Sequence, residues 1–76
     1  MNEFAAGVFF DQAAEETVLS AALDNPHLVR PVAELDPGVF WVPAAQELHA
    51  VIRSLLADGE PVDHVSVARR AAARAS

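Results

Sequence analysis

Apolar residues recur at three- and four-residue spacing in four segments of this chain. That spacing places them on one face of a helix, so the pattern predicts an all-α fold: a small orthogonal bundle of about four helices. The predicted helices run from Gln12 to about Leu23, from Pro26 to about Leu35, from Pro43 to about Ala57, and from His64 to about Ala75. The predicted core is Val18, Leu19, Leu23, Leu28, Val32, Leu35, Phe40, Leu48, Ile52 and Leu55.

The residues between the third and fourth helices favour a sharp turn. Gly59 can adopt the left-handed conformation that ends a helix, and Pro61 cannot continue that helix. Asp63 can then cap the fourth helix by accepting a backbone N–H bond. The apolar face predicted for the fourth helix is shallow, and it consists of Val65, Ala68, Ala71 and Ala72.

The residues of the other connections also predict local structure. Asn25 is a candidate cap for the second helix, and the 36–38 segment, Asp-Pro-Gly, is typical of a turn. The 39–42 segment is apolar and has no second strand to pair with, so an extended, buried linker is predicted. Trp41 is expected to anchor the core, with a protein contact as the alternative, because tryptophan is enriched in interface hot spots.

Length and composition bound the class of protein. Seventy-six residues form one domain at most, and the chain is 53% hydrophobic with no cysteine. No apolar run approaches the roughly 20 residues that span a membrane. The start of the chain has no basic region typical of a secretion signal. A soluble, cytoplasmic protein is therefore expected, with residues 1–10 as an apolar lead-in and 11–76 as the helical domain.

Charge argues against direct nucleic-acid binding. Eleven acids face five bases, and the net charge is −6. Phosphate attraction supplies most sequence-independent DNA affinity, and this chain would repel phosphate. Arg69, Arg70 and Arg74 are concentrated near the C-terminus, where they complement a helix dipole or, as the alternative, contact phosphate.

No residue pattern predicts catalysis, a cofactor site or a metal site. The chain has no phosphate-binding glycine loop. His27, His49 and His64 come from three predicted elements and lack the i, i+4 spacing of a helical metal site. The lead-in carries Phe9 and Phe10, which pack on the core or contact another molecule.

Three blocks of the chain resemble the N-terminal domain of bacterial replicative (DnaB-type) helicases. The segment 14–20, AEETVLS, is similar to the family's A-E-x-x-V-L-G, and the segment 40–44, FWVPA, is similar to F-Y-x-P-x-H. The segment 59–68, GEPVDHVSVA, resembles G-E-P-[IV]-D-x-V-[ST]-V-A. Two residues depart from the pattern: Ser20 replaces a glycine and Ala45 replaces a histidine.

The resemblance implies a non-catalytic interaction module. In the family this domain forms the collar of a hexameric ring and supports recruitment of primase. The chain ends before the family's helical hairpin and ATPase domain, so a trimmed fragment and a small stand-alone relative are both expected possibilities. Self-association is predicted, with Phe9, Phe10 and Trp41 as contact residues. The alternative is a small DNA-binding or regulatory domain that uses the basic C-terminal helix.

Overall fold

The computed structural model describes residues 12–75, and that part of the chain is all-α, as predicted. Its helices are α1 (Gln12–Asp24), α2 (Pro26–Ala33), α3 (Pro43–Ala57) and α4 (His64–Ala75). A single 3-10 turn, Pro37–Val39, lies between α2 and α3, and the described residues contain no strand. Helices α1 and α2 pack against each other and against α3, whereas α4 packs mainly against α3.

The core lies where α1, α2 and α3 meet. Leu19, Val51 and Ile52 are fully buried at its centre, and Phe40 and Leu55 are nearly so. Leu23, Leu28 and Leu48 are partly buried and pack against this cluster. Burying each large apolar side chain contributes about 1.5–3 kcal/mol, so this cluster is the main stabilising element of the described fold.

Two residues predicted for the core are instead exposed. Val18 is 46% exposed, because the inward stripe of α1 is formed by Glu15, Leu19 and Ala22. Leu35 is 39% exposed, because α2 ends at Ala33, two residues earlier than expected. Leu35 therefore lies outside the helical period that would have turned it inward.

The connections around α2 differ in detail from expectation. The Asn25 side chain does not cap α2; its Nδ2 instead donates to the Ala21 carbonyl at 2.9 Å, near the end of α1. The predicted turn at 36–38 is present, and the Asp36 carboxylate accepts the Gly38 N–H at 2.8 Å. The expected extended, buried linker is wrong for much of its length, because Val39 belongs to the 3-10 turn and is 49% exposed.

The turn between α3 and α4 confirms the prediction for Gly59 and Asp63. Gly59 has a φ of 72°, and its N–H donates to the Leu56 carbonyl while the Glu60 N–H donates to Leu55. These two bonds form the Schellman motif that satisfies the last carbonyls of a helix. The Asp63 carboxylate accepts the Ser66 N–H at 2.8 Å and so caps α4.

Helix α4 turns a different face inward from the one predicted. Val67 is its buried residue and Ala71 is partly buried, whereas Val65 is 59% exposed. Alanine lies on several sides of this helix, so its apolar pattern carries little directional information. Arg70 and Arg74 lie on the same side as Val67 and bond to Ser54 and Glu47 of α3.

Candidate protein-contact surface

The segment before α3 alternates between buried and exposed side chains. Phe40 is 4% exposed and packs on the His49 ring, with centroids 4.8 Å apart and planes tilted by 42°. Trp41, the next residue, is 62% exposed. The expectation that Trp41 anchors the core is therefore wrong, because Phe40 occupies that place and the extended backbone points its neighbour outward.

A buried carboxylate fixes the backbone of this segment. Glu15, in the first turn of α1, is 5% exposed. Its oxygens accept the Trp41 N–H at 3.1 Å and the Val42 N–H at 3.0 Å. Val42 is the N-cap residue of α3, where backbone N–H groups and the helix dipole favour a negative charge. Glu15 therefore ties α1 to the start of α3.

Two further side chains of α3 hold the same region. Gln46 Nε2 donates to the Phe40 carbonyl at 2.8 Å. His49 Nε2 lies 2.9 Å from the carbonyl of Val32 in α2, and since a carbonyl only accepts, this nitrogen carries the proton. The backbone that presents Trp41 is thus attached to both α1 and α3.

Exposed apolar side chains are concentrated in this connection. Leu35, Val39 and Trp41 are all large, exposed hydrophobic residues within seven positions of the chain. We call these three residues the Trp41 surface. Exposed large apolar side chains are candidates for contact sites, so the Trp41 surface is the candidate functional site. Phe9 and Phe10, the other predicted contact residues, lie outside the described part of the chain.

The three arginines considered for phosphate contact differ in their surroundings. Arg70 donates to the Asp58 carboxylate at 2.9 Å and to the Ser54 hydroxyl. Arg74 Nε donates to Glu47 at 2.8 Å. This bond lowers the pKa of Glu47 and raises the pKa of Arg74. Arg69 is exposed and its side chain makes no ion pair within residues 12–75.

The histidines lie apart from one another, and none belongs to a metal-binding cluster within the described residues. His49 is buried in the core, and His64 Nε2 pairs with Asp24 at 2.8 Å on the surface. Among the same residues, no helix is both long and apolar enough to cross a membrane.

Sequence reasoning missed Glu15. No prediction singled out this residue, yet its carboxylate is the buried link between α1 and α3. The only local sign was an acidic residue on the same three- and four-residue spacing as Leu19 and Ala22.

The fold and this surface define a small all-α domain with an exposed tryptophan on a fixed backbone. The family model for the DnaB-like helicase N terminal domain matches residues 9–76 of the chain. The protein therefore belongs to this family, which confirms the resemblance seen in the sequence. It is a helicase-associated domain of DNA replication, and this domain of the family is non-catalytic. No solved structure matches the chain.

Proposed function

We propose that this chain is a non-catalytic interaction module that self-associates and contacts helicase subunits or primase in DNA replication. The observation that carries the proposal is Trp41, whose side chain is 62% exposed on a backbone held by the buried carboxylate of Glu15. An aromatic side chain on a fixed backbone contacts a partner at little cost in chain entropy, which is a property of interface hot spots.

Neighbouring residues support the same surface. Leu35 and Val39 are also exposed and lie within six residues of Trp41 in the chain, so we include them in the proposed contact. Phe9 and Phe10 come just before α1, and Glu15, which binds the Trp41 backbone, is in the first turn of that helix. We include both phenylalanines in the proposed contact for this reason.

Concentration-dependent mass measurement tests this proposal. We expect light scattering to show a mass that rises above the 8.1 kDa of one chain as protein concentration increases. Trp41→Ser should abolish the rise. Val65→Ser is the matched control, because Val65 is similarly exposed at 59% but lies on α4. A monomer at all concentrations, or an equal effect of both substitutions, would contradict self-association through the Trp41 surface.

Intrinsic fluorescence provides a second readout. The chain has one tryptophan and no tyrosine, so its emission reports on Trp41 alone. If the Trp41 surface is the interface, emission should shift to shorter wavelength as the mass rises, and acrylamide should quench it less. A rise in mass without either change would place the interface elsewhere.

The DNA-binding alternative is less well supported. Arg70 is bonded to Asp58 at the end of α3 and Arg74 to Glu47 within it, so two of the three arginines that would meet phosphate already have partners. The net charge of −6 also opposes binding. A salt titration with duplex DNA separates the two functions, since a phosphate binder loses affinity steeply as salt rises.

A further inference from the structure

A groove between α2 and α3 gathers two of the chain's five bases. Arg30 of α2 and Arg53 of α3 are both exposed and line this groove of about 350 Å³. Neither side chain makes an ion pair or hydrogen bond within residues 12–75. By contrast, Arg70 binds Asp58, the C-cap residue of α3, and Arg74 binds Glu47 of α3. The α2–α3 groove therefore holds guanidinium groups whose bonding capacity is unused in the described fold.

Apolar residues line part of the α2–α3 groove. Ala33, Leu56 and Ala57 line it beside the two arginines. Arg30 and Leu56 also line an adjoining depression of about 250 Å³, which continues to Val29 and Val62. Residues of α2 from Pro26 to Ala33 contribute to the two depressions, and this helix of eight residues is about 12 Å long at 1.5 Å per residue. This length matches two turns of a helix laid along it.

The groove's charges select among possible partners. Glu34 and Glu60 also line it, and the chain as a whole is strongly acidic, so a continuous phosphate backbone would meet repulsion. No aromatic residue lines the groove, so unpaired bases would find nothing on which to stack. Carboxylates placed singly opposite Arg30 and Arg53 would instead form charge-assisted bonds, and an apolar stripe would cover Leu56.

We propose that the α2–α3 groove binds an amphipathic helix of a partner protein, with glutamate or aspartate beside an apolar stripe. The acids pair with Arg30 and Arg53, and the stripe packs on the apolar residues of the groove, which is the helix-in-groove mode of recognition. The two arginines of this site lie apart from Trp41 along the chain, whereas Leu35 of the Trp41 surface directly follows Glu34, which lines the groove. Arg53 is twelve residues after Trp41, and ten residues of α3, about 15 Å of helix, separate it from the start of that helix.

Labelled synthetic peptides test the inference on the full chain. One peptide is a leucine-striped helix with glutamates flanking the stripe, and the second replaces those glutamates with glutamine. We expect fluorescence anisotropy to show saturable binding of the glutamate peptide and binding about fivefold or more weaker for the glutamine peptide. Absence of saturable binding, or equal binding of both peptides, would overturn the proposal.

Charge-reversal variants locate the site. Arg30→Glu and Arg53→Glu should each weaken binding of the glutamate peptide about tenfold, since each replaces an attraction by a repulsion. Arg69→Glu is the matched control, because Arg69 is also an exposed arginine without an ion pair in residues 12–75, and it should change binding less than about twofold. Equal weakening by Arg69→Glu would indicate a net-charge effect and refute the site.

Two further variants and a DNA competition complete the test. The Arg30→Glu/Arg53→Glu double variant should bind a lysine-flanked version of the peptide better than the native chain does, which shows that it remains folded. Trp41→Ser should bind the glutamate peptide normally, so failure of self-association and failure of the groove are distinguishable. If duplex DNA displaces the peptide from the native chain but not from the double variant, the groove is a nucleic-acid site and the proposal is wrong.

Discussion

Glu15 and Trp41 are joined by a bond between a buried carboxylate and a backbone N–H, across 26 positions of the chain. The Glu15 carboxylate is buried, whereas the indole of Trp41, the residue whose N–H it accepts, is exposed. The Trp41 side chain is therefore presented by a part of the core. Its exposure is a property of the tertiary structure and does not depend on a loose loop.

Removal of the Glu15 carboxylate should destabilise the domain substantially. Glu15→Ala leaves the Trp41 and Val42 N–H groups without their acceptor, so we expect a loss of about 2–3 kcal/mol in the free energy of unfolding. Glu15→Gln keeps one acceptor oxygen and should lose less. Urea unfolding followed by circular dichroism measures both. Glu34→Ala, at an exposed carboxylate, is the control and should be nearly neutral.

Two adjacent residues of α1 should respond very differently to truncation. Leu19 is fully buried, so Leu19→Ala should cost about 3 kcal/mol through lost transfer energy and the cavity left behind. Val18 is 46% exposed, so Val18→Ala should stay within about 0.5 kcal/mol of the native chain. If Leu19→Ala does not fold, Ile52→Val should lose about 1 kcal/mol and still fold. Comparable effects at Leu19 and Val18 would show that the orientation of α1 is wrong.

Gly59 should be sensitive to the handedness of its replacement rather than to its size. A β-carbon at this position meets no atom within 4 Å, so the cost of Gly59→Ala comes only from the φ of 72°. We expect a loss of about 1 kcal/mol in thermal or urea unfolding. Gly59→Asn should lose less, because asparagine tolerates this conformation. A D-alanine introduced by chemical synthesis should be at least as stable as glycine, and a loss there would contradict the backbone explanation.

Acid should weaken the fold through two carboxylates with known partners. The Arg74 guanidinium lowers the pKa of Glu47 below its ordinary 4.5, and the Ser66 N–H lowers the pKa of Asp63 below its ordinary 3.8. As pH falls, these two carboxylates take up protons in the unfolded chain before they do so in the folded one. The stabilisation that the two carboxylates give the fold is therefore complete above their ordinary pKa values and is lost as pH falls through their lowered pKa values.

The double variant Glu47→Gln/Asp63→Asn tests this pH dependence. Asparagine still caps a helix and glutamine still bonds arginine, but neither side chain titrates. Urea midpoints measured from neutral pH to below pH 3.8 should fall less steeply for the variant than for the native chain. Parallel profiles would mean that other groups govern the acid response.

Features encoded by neighbouring residues were predictable from the sequence. Gly59 and Asp63 indicate the end of one helix and the start of the next. The hydrogen bonds that close this turn span only a few residues. The period of α3 was equally clear, because Ile52 and Leu55 are large and lie on one side. The family resemblance in these segments was also sound, since the family model matches residues 9–76.

Features that depend on distant partners were not predictable. The bonds of Glu15 to Trp41 and Val42 cross 26 and 27 positions of the chain, so no local pattern indicates them. Trp41 was placed inside because it is large and apolar, whereas the structure gives that place to Phe40. In α4, alanines lie on several sides of the helix, so the apolar pattern did not indicate which face packs on the core. Val65 was predicted to face inward, but it is 59% exposed.

The attachment of α4 has a consequence for dynamics. Val67 is its one buried residue in the described structure and Ala71 is partly buried, while two ion pairs, Arg70 to Asp58 and Arg74 to Glu47, link it to α3 and the turn that follows. Added salt screens such exposed pairs but leaves the buried contacts of α1 to α3 largely unaffected. We therefore expect α4 to open before the other described helices. Hydrogen exchange of its amides should quicken with ionic strength while the core amides keep their protection.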